Sequence, residues 1–364
     1  MSVRIGIVGV RRGGGFATLL SARKDCRVVA VCDRDRGRAE AAAVGVGAEA
    51  LDDYDRLCEK ELDAIVIATP PAGHFECSVT ALESGKHVLC EVPAVVTLSE
   101  AEQLAAKVKQ TGLKYMLAEN VCYFPCIQEM HRLVREGRIG RVTYAEGEYI
   151  HDCRSIMYDR SDGLGGGTGG RPTWRVDFEP IQYCTHELGP LLMILEDRIV
   201  TASCMEAVSS TERRPGFIKI QSAIFETAGG RVIREVTGFS VAREPAHHVF
   251  CLYGTKGSIE TDRYRWMENL KVYGEDDPDQ KEMTDLATSL THRDAPPEAR
   301  AGGHGTSEYF MVDDFITSIV EDRTPPIDVT KALEMTVPGI CAAMSAKRGG
   351  ELVQVPPAGS GESQ

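Results

Sequence analysis

No stretch of this chain is long and apolar enough to cross a bilayer, no C-x-x-C pair occurs, and positive charge is in deficit. Each shortage excludes a class. Without roughly 20 consecutive apolar residues there is no transmembrane helix. Without closely paired cysteines, the twelve present read as reduced side chains used as small hydrophobes; Cys32 and Cys90 lie in apolar runs. A formal net charge of −13 denies the basic face that nucleic acid or an anionic membrane demands. The local arginine clusters Arg11–Arg12 and Arg34–Arg38 suit one small phosphorylated ligand instead. There is no internal repeat or heptad. No charged and then apolar leader precedes the first strand-like run, Val3–Val8, so a cytoplasmic location is expected. What remains is a globular composition, 43% hydrophobic and 26% charged over 364 residues, for which two domains are expected.

The first 120 residues alternate short apolar runs (Arg4–Val8, Val28–Cys32, Ala64–Ala68, His87–Cys90, Lys114–Ala118) with segments of helical length near Phe16–Arg23, Arg36–Ala43, His74–Ser84 and Ser99–Gln110. Continuous rather than alternating apolar runs indicate strands buried on both faces. Strand–helix alternation predicts a parallel, doubly wound α/β sheet over residues 1–122. Thr97 and Glu100 form a capping-box pattern at one helix start, and Gly112 closes that helix. Residues 123–350 read differently, as an α+β domain with a large, mostly antiparallel open sheet, and 351–364 as a tail. Its strands are expected at Val142–His151, Ile199–Ala207, Ile218–Glu226, Val232–Val241, His248–Gly254 and Leu270–Tyr273. Helices are expected at Cys126–Gly137, Glu308–Glu321 and Thr330–Lys347. The glycine-rich Gly163–Gly170 stretch and roughly residues 275–305 read as long loops.

The first strand ends in Gly9-Val10-Arg11-Arg12-Gly13-Gly14-Gly15. A dinucleotide site needs glycine here, so that the backbone approaches a pyrophosphate resting on the helix N-terminus. Against G-x-G-x-x-G, Gly9 and Gly14 fit, while Arg11 stands at the second glycine. A glycine-rich turn alone is a weak signal. Asp33 follows the second strand at the distance expected for a carboxylate on the adenosine ribose hydroxyls, which favours NAD. Arg34 and Arg38 keep NADP open, since either suits a 2′-phosphate. Ala68-Thr69-Pro70-Pro71 lies at the carboxyl edge of the sheet, where ligands collect.

The succession of Ile5–Gly15, Asp33, Thr69-Pro70-Pro71 with His74, Gly85–Glu91 with Pro93, and Asn120 resembles the glucose–fructose oxidoreductase / inositol dehydrogenase (Gfo/Idh/MocA) family. The resemblance runs through His186 to the closing helices. It implies a Rossmann domain, an α/β second domain whose sheet face commonly makes a dimer or tetramer, and bound NAD(P). Two departures stand out. Dehydrogenases of that family carry Glu-Lys-Pro, whose lysine positions substrate and assists proton transfer, whereas this chain reads Glu91-Val92-Pro93. The family's Asp-x-x-x-His becomes Gln182-Tyr183-Cys184-Thr185-His186.

Five further motifs, in order, resemble the NAD-dependent glycosidase branch typified by bacterial α-N-acetylgalactosaminidases. They are Cys90–Ala94 with Glu119–Tyr123; Tyr149 with His151 and Asp152; Trp174-Arg175; Tyr183–Pro190; and Gly302–Gly305. That branch implies tightly held NAD used transiently: oxidation at C3 acidifies C2–H, the aglycone is eliminated, water adds at C1 and the hydride returns. The resemblance assigns His186 to the oxidised hydroxyl with Tyr183 beside it, and base or enolate-stabilising duty to Tyr149 or His151. These two, at i and i+2 of one strand, share a face. Glu119 ends the last parallel strand. Gly9, Arg11, Arg12, Gly14, Asp33, Arg34, Arg38, Thr69, Pro70, His74, Glu91, Pro93 and Asn120 are the cofactor candidates, with Glu91 and Pro93 shaping the turn under the nicotinamide and Pro93 a candidate cis residue. Tyr123, Trp174 and Arg175 are the sugar-contact candidates, though core aromatics are as common. Two departures from the branch are Cys184, in place of a proline, and the differently composed Gly163–Gly170 loop; its known sugar specificity is therefore not carried over.

A conventional sugar or cyclitol dehydrogenase using His186 is the first alternative, and a non-catalytic NAD-binding sensor the second. His151, Asp152, His186 and Glu187 have ligand types that suit zinc, but no spacing compels a metal, and none is expected. His131, His247, His248 and His292 read as structural or surface residues. The expected partner is a small sugar or glycoside, with no nucleic acid or membrane, in a homodimer or homotetramer.

Overall fold

The computed structural model describes residues 2–159, 171–209 and 219–359. The chain divides into two units: residues 1–123, 291–333 and 358–364 form unit 1, and residues 124–290 and 334–357 form unit 2. The Gly163–Gly170 stretch and residue 218 lie outside the described residues.

Unit 1 is built on six strands: β1 (Val3–Val8), β2 (Cys26–Cys32), β3 (Glu49–Leu51), β4 (Ala64–Ile67), β5 (His87–Cys90) and β6 (Tyr115–Leu117). They form one parallel sheet in the order β3-β2-β1-β4-β5-β6. The intervening helices are α1 (Val10–Ser21), α2 (Arg36–Val46), α3 (Tyr54–Cys58), α4 (His74–Glu83) and α5 (Leu98–Thr111). Ile5, Ile7, Val31, Ile65, Ile67 and Leu89 are fully buried, as strands covered on both faces require. The capping box forms: Thr97 Oγ1 accepts from the Glu100 amide at 3.2 Å, and Glu100 Oε2 accepts from the Thr97 amide at 3.1 Å. Gly112 closes α5 at φ +66°. Two elements escape the sequence reading, β3 and α3, because three and five residues are too few to show a period. Helix α1 also starts six residues earlier than expected, directly after Gly9. Its glycines lie within the helix, and a Cβ on Gly13 would fall 2.7 Å from Ile7 Cγ2.

Unit 2 begins with α6 (Pro125–Arg135) and β7 (Val142–Ile150), followed by the short elements α7 (Arg154–Met157), β8 (Tyr158–Asp159), β9 (Arg171–Pro172) and α8 (Trp174–Asp177). Then come α9 (Thr185–Leu195), β10 (Ile199–Val208), β11 (Lys219–Thr227), β12 (Val232–Gly238), β13 (His247–Gly254), β14 (Gly257–Thr261), β15 (Asn269–Gly274) and β16 (Thr284–Ala287). The chain closes with α10 (Ser307–Val320) in unit 1, α11 (Val329–Lys347) and β17 (Val353–Gln354). Unit 2 holds a nine-stranded sheet, β16-β15-β14-β13-β7-β12-β11-β10-β17, antiparallel except for the β12–β7 pair. Helix α9 packs on the face that carries Ala145, Gly147 and Tyr149. On the opposite face Arg234 pairs with Glu146 and Glu148, each at 2.7 Å, and Arg263 with Glu148 at 2.7 Å. The 275–305 stretch is not a plain loop, since it contains β16 and a 3₁₀ turn at Pro297–Ala301. Strand β16 is a polar edge strand held by backbone pairing and by the Asn269–Asp285 contact, so it shows no apolar alternation. The expected tail contributes β17 to the other sheet edge.

Candidate active site

In unit 1 the turn from β1 to α1 depends on Gly9. Its φ is +87°, and a Cβ there would lie 2.4 Å from the Ala68 carbonyl oxygen, so only glycine lets the turn press onto the end of β4. Close helix–strand packing falls to Gly13, one residue before the position assigned by the pattern; a Cβ on Gly14 would meet nothing within 4 Å. Gly9, the N-cap of α1, offers no side chain to the first turn, which holds no acidic residue and two arginines. Asp33 is fixed at the end of β2: Oδ2 accepts from the Val10 amide at 3.1 Å and Oδ1 from the Asp35 amide at 3.0 Å. Arg38 turns to Asp35, 3.1 Å away, and stands 4.0 Å from Asp33; Arg34 is exposed. A tight glycine turn, a helix start with no acidic residue in its first turn and a fixed carboxylate fit an NAD pyrophosphate and ribose.

Arg12, a cofactor candidate, bridges two carboxylates. Nε donates to Glu91 Oε1 at 2.7 Å and Nη2 lies 2.7 Å from Glu308 Oε1, while the guanidinium sits 4.7 Å over the Phe16 ring. Glu308 is buried, and it also accepts from the Gly303 amide at 2.7 Å and pairs with His304 Nδ1 at 2.8 Å. Burial opposes its charge, but His304 and Arg12 outweigh that and hold the carboxyl down at about 2. The Glu91–Pro93 turn is therefore pinned to Arg12, and the Val92–Pro93 bond is cis. Val92 itself is buried and carries no proton. His74 clamps the turn, with Nδ1 2.7 Å from the Pro93 carbonyl and Nε2 2.7 Å from the Thr69 carbonyl. Both partners only accept, so both ring nitrogens must be protonated. Burial resists the charge, yet the nearby Cys90 sulfur and the two carbonyls push the imidazole up to about 9. Glu119 and Asn120 are buried at the end of β6, where Glu119 Oε1 accepts from the Val121 amide at 3.2 Å. Tyr123 donates its hydroxyl to Asp314 at 2.9 Å, which anchors it within unit 1.

In unit 2 Tyr149 gathers three of the other four catalytic candidates around it. Its ring stacks on His186 at 5.6 Å and meets Tyr183 edge-on at 5.9 Å and His151 at 5.8 Å. Tyr183 and His186 are 4.9 Å apart. The Tyr149 hydroxyl lies 3.3 Å from His151 Nδ1, which is also 2.8 Å from Cys153 Sγ. Burial pushes the Tyr149 phenol well above its usual range and pushes His151 down, keeping it neutral. Phe239 backs Tyr149 and Tyr183. Trp174 packs 6.0 Å from Tyr183, with the Arg175 guanidinium 4.2 Å over its ring. The fifth, Glu119, belongs to unit 1. Asp152 is tied to Arg154 at 2.7 Å, and among the described residues no three His, Cys, Asp or Glu side chains are grouped to hold a metal ion.

His248 joins this cluster, although the sequence alone reads it as a structural or surface residue. It stands opposite Tyr149 across β7 and β13, with rings 5.0 Å apart, and its Nδ1 lies 2.7 Å from Oε1 of the buried Glu187. A separation of 61 positions in the sequence hid this pair. The available signal was Glu187 itself, an acid next to His186 in an otherwise apolar helix.

Residues 3–119 match the model of the oxidoreductase family with an NAD-binding Rossmann fold, and residues 218–363 match that of the glycosyl hydrolase 109 C-terminal domain. A glycosyl hydrolase family 109 protein of Streptomyces niveus is 30% identical over 99% of this chain and 78% of its own. The chain belongs to glycosyl hydrolase family 109. A second family 109 protein, from Streptomyces coelicolor, is 26% identical over 98% of this chain and 83% of its own. Among solved structures, an oxidoreductase domain protein from Kribbella flavida superposes with a TM-score of 0.78 at 22% identity, covering 98% of this chain and 100% of that one. Levoglucosan dehydrogenase in complex with NADH and levoglucosan has the same TM-score at 18% identity, covering 98% and 100%. At these identities the likeness is one of fold. This family 109 chain is thus an NAD-dependent enzyme of oxidoreductase fold whose family acts on small sugars. Among its described residues no helix is long and apolar enough to cross a membrane.

Proposed function

We propose that this chain is a redox-neutral glycosidase that holds its NAD tightly between turnovers. The observation that carries the reading is the unit 2 cluster, where the rings of Tyr149, His151, Tyr183 and His186 meet and gather side chains able to move protons at a sugar hydroxyl. The buried valine at position 92 supports it, because the proton-carrying lysine of related dehydrogenases has no counterpart there.

The turn at Gly9, the start of α1 with Arg11, and Asp33 would hold the dinucleotide, and the Arg12–Glu91 and His74–Pro93 contacts would fix the turn beneath its nicotinamide. When bound, the dinucleotide would supply a reversible hydride acceptor for C3 of the sugar. His186 accepts the proton of the hydroxyl undergoing oxidation, with Tyr183 orienting that oxygen. The high phenol of Tyr149 stays protonated and donates to the oxygen of the enolate that forms when C2–H is lost. Trp174 and Arg175 offer a flat, charged surface for a sugar ring. Glu119, whose carboxylate accepts from the Val121 amide, holds the end of β6. Twelve cysteines without a C-x-x-C pair suit a reducing compartment such as the cytoplasm. The exposed Met205 and Ile224, on the sheet face away from α9, suit a homodimer or homotetramer formed through that face.

The test uses the protein as purified, with no dinucleotide added, against a panel of aryl glycosides. Release of the aryl group without net dinucleotide reduction is expected. Intact glycosides together with steady reduction of added NAD by a free sugar would make the chain a conventional dehydrogenase.

A further inference from the structure

The proposed cycle needs two bases at once, since the O3 proton and the C2 proton both leave before either returns. His186 accounts for one. We propose that His248, held by the buried Glu187, is the second base, the one that removes and returns the proton at C2; this rests on the glycosidase reading above.

The pair is built into the sheet. His248 Nδ1 lies 2.7 Å from Glu187 Oε1, and the Glu187 side chain has no exposed surface. A carboxylate can only accept, so Nδ1 carries the proton and Nε2 is the basic nitrogen of the ring. The backbone makes room for this carboxylate: a Cβ on Gly147 of β7 would fall 2.7 Å from Glu187 Cβ and 3.1 Å from its Cγ. The imidazole is fixed in place by Trp266 at 4.7 Å and Phe124 at 6.3 Å. Its ring lies 5.0 Å from that of Tyr149 and 5.8 Å from that of His186.

The two other candidates fit the task less well. Tyr149 is pushed well above the usual range by burial, so its phenol is a donor rather than a base near neutrality. His151 lies with Nδ1 between the Tyr149 hydroxyl and Cys153 Sγ, 3.3 and 2.8 Å away, with no carboxylate bonded to it in those contacts. Only His248 joins an imidazole to a buried carboxylate in this cluster among the described contacts.

The step balances. Once C3 is a carbonyl, the C2–H electron pair becomes the C1–C2 double bond and the proton goes to His248. The C1–O bond breaks with its pair to the aglycone oxygen, which takes a proton from water. The hydroxide left by that water then adds to C1, and His248 returns its proton to C2.

The experiment follows a methyl glycoside in D2O, with loss of the C2 proton read by NMR and single-turnover reduction of the dinucleotide read by absorbance. Wild type should do both. In His248→Gln, C2 exchange should fall by about 10²-fold or more, the usual worth of a positioned base, while dinucleotide reduction stays within about three-fold. Glu187→Gln should slow exchange by about ten-fold and alter the His248 ring signals in a ¹⁵N-histidine spectrum, a readout independent of turnover. Exchange at the wild-type rate in His248→Gln overturns the proposal, as does equal loss of both half-reactions in both variants, which marks a packing pair. Wild type that reduces dinucleotide without exchanging C2 overturns it too. Wild type that does neither defeats the glycosidase reading itself, and the proposal with it.

Discussion

His186 and His74 show how one side-chain type serves two ends here. His186 sits among polar rings in unit 2, and its replacement by alanine should lower kcat/KM by about 10²–10⁴-fold, the range for loss of a general acid–base group. NAD affinity should be unchanged, because the residues that fit the dinucleotide lie in unit 1; calorimetric titration beside steady-state kinetics separates the two effects. His74 is a clamp between two carbonyls and is pushed up to about 9. A group raised on folding stabilises the fold fully below its unfolded value, near 6.5, and that contribution is lost as pH rises through the folded value. The difference is worth about 3 kcal/mol. The unfolding midpoint in denaturant should therefore fall between about pH 6.5 and 9.5 by that order, and His74→Gln should flatten the slope. Wild-type slope in the variant would show that the imidazole is neutral. Both residues were legible in the sequence because each sits in a motif. His248 and Glu187 were not, since a cross-strand neighbour and its helical partner share no spacing.

At the scale of elements, the β1–α1 turn makes the sharpest prediction. Gly9→Ala meets a φ of +87° and an oxygen at 2.4 Å. The backbone conformation alone costs about 1–2 kcal/mol, and relieving the contact moves the turn away from β4. Loss of NAD binding is expected, with a lower thermal midpoint. Gly14→Ala meets nothing within 4 Å and should keep the fold, so any loss of affinity there would report direct approach of the ligand. Retained NAD affinity in Gly9→Ala would remove the turn from the site. The parallel sheet was readable from its continuous apolar runs, and the helix start at Thr97 from its capping pair. Strands β3 and β16 were not, because a three-residue strand and a polar edge strand are made by backbone pairing, which leaves little pattern in side chains. The pattern marks Gly9 and Gly14 by position, whereas contact with Ile7 singles out Gly13.

For the whole molecule, the open face of the nine-stranded sheet carries the expectation of assembly. Met205 and Ile224 are 61% and 46% exposed there, beside the Arg234–Glu146–Glu148 network. Light scattering should give a multiple of the 39.7 kDa chain, and the double variant Met205→Glu, Ile224→Lys should give the monomer. A wild-type monomer at micromolar concentration would refute the assembly.

The nucleotide unit is discontinuous, and this sets an order on its making. Leu117 donates its amide to the Ile327 carbonyl, Tyr123 holds Asp314, and Arg12 reaches Glu308. A ribosome emitting the chain from its first residue produces every parallel strand early, yet these partners emerge only after β7 to β16. The cofactor site would thus be finished last, and a nascent chain stalled at residue 290 should fail to retain NAD where one released past residue 333 succeeds. Retention by the stalled chain would show that the first six strands mature alone.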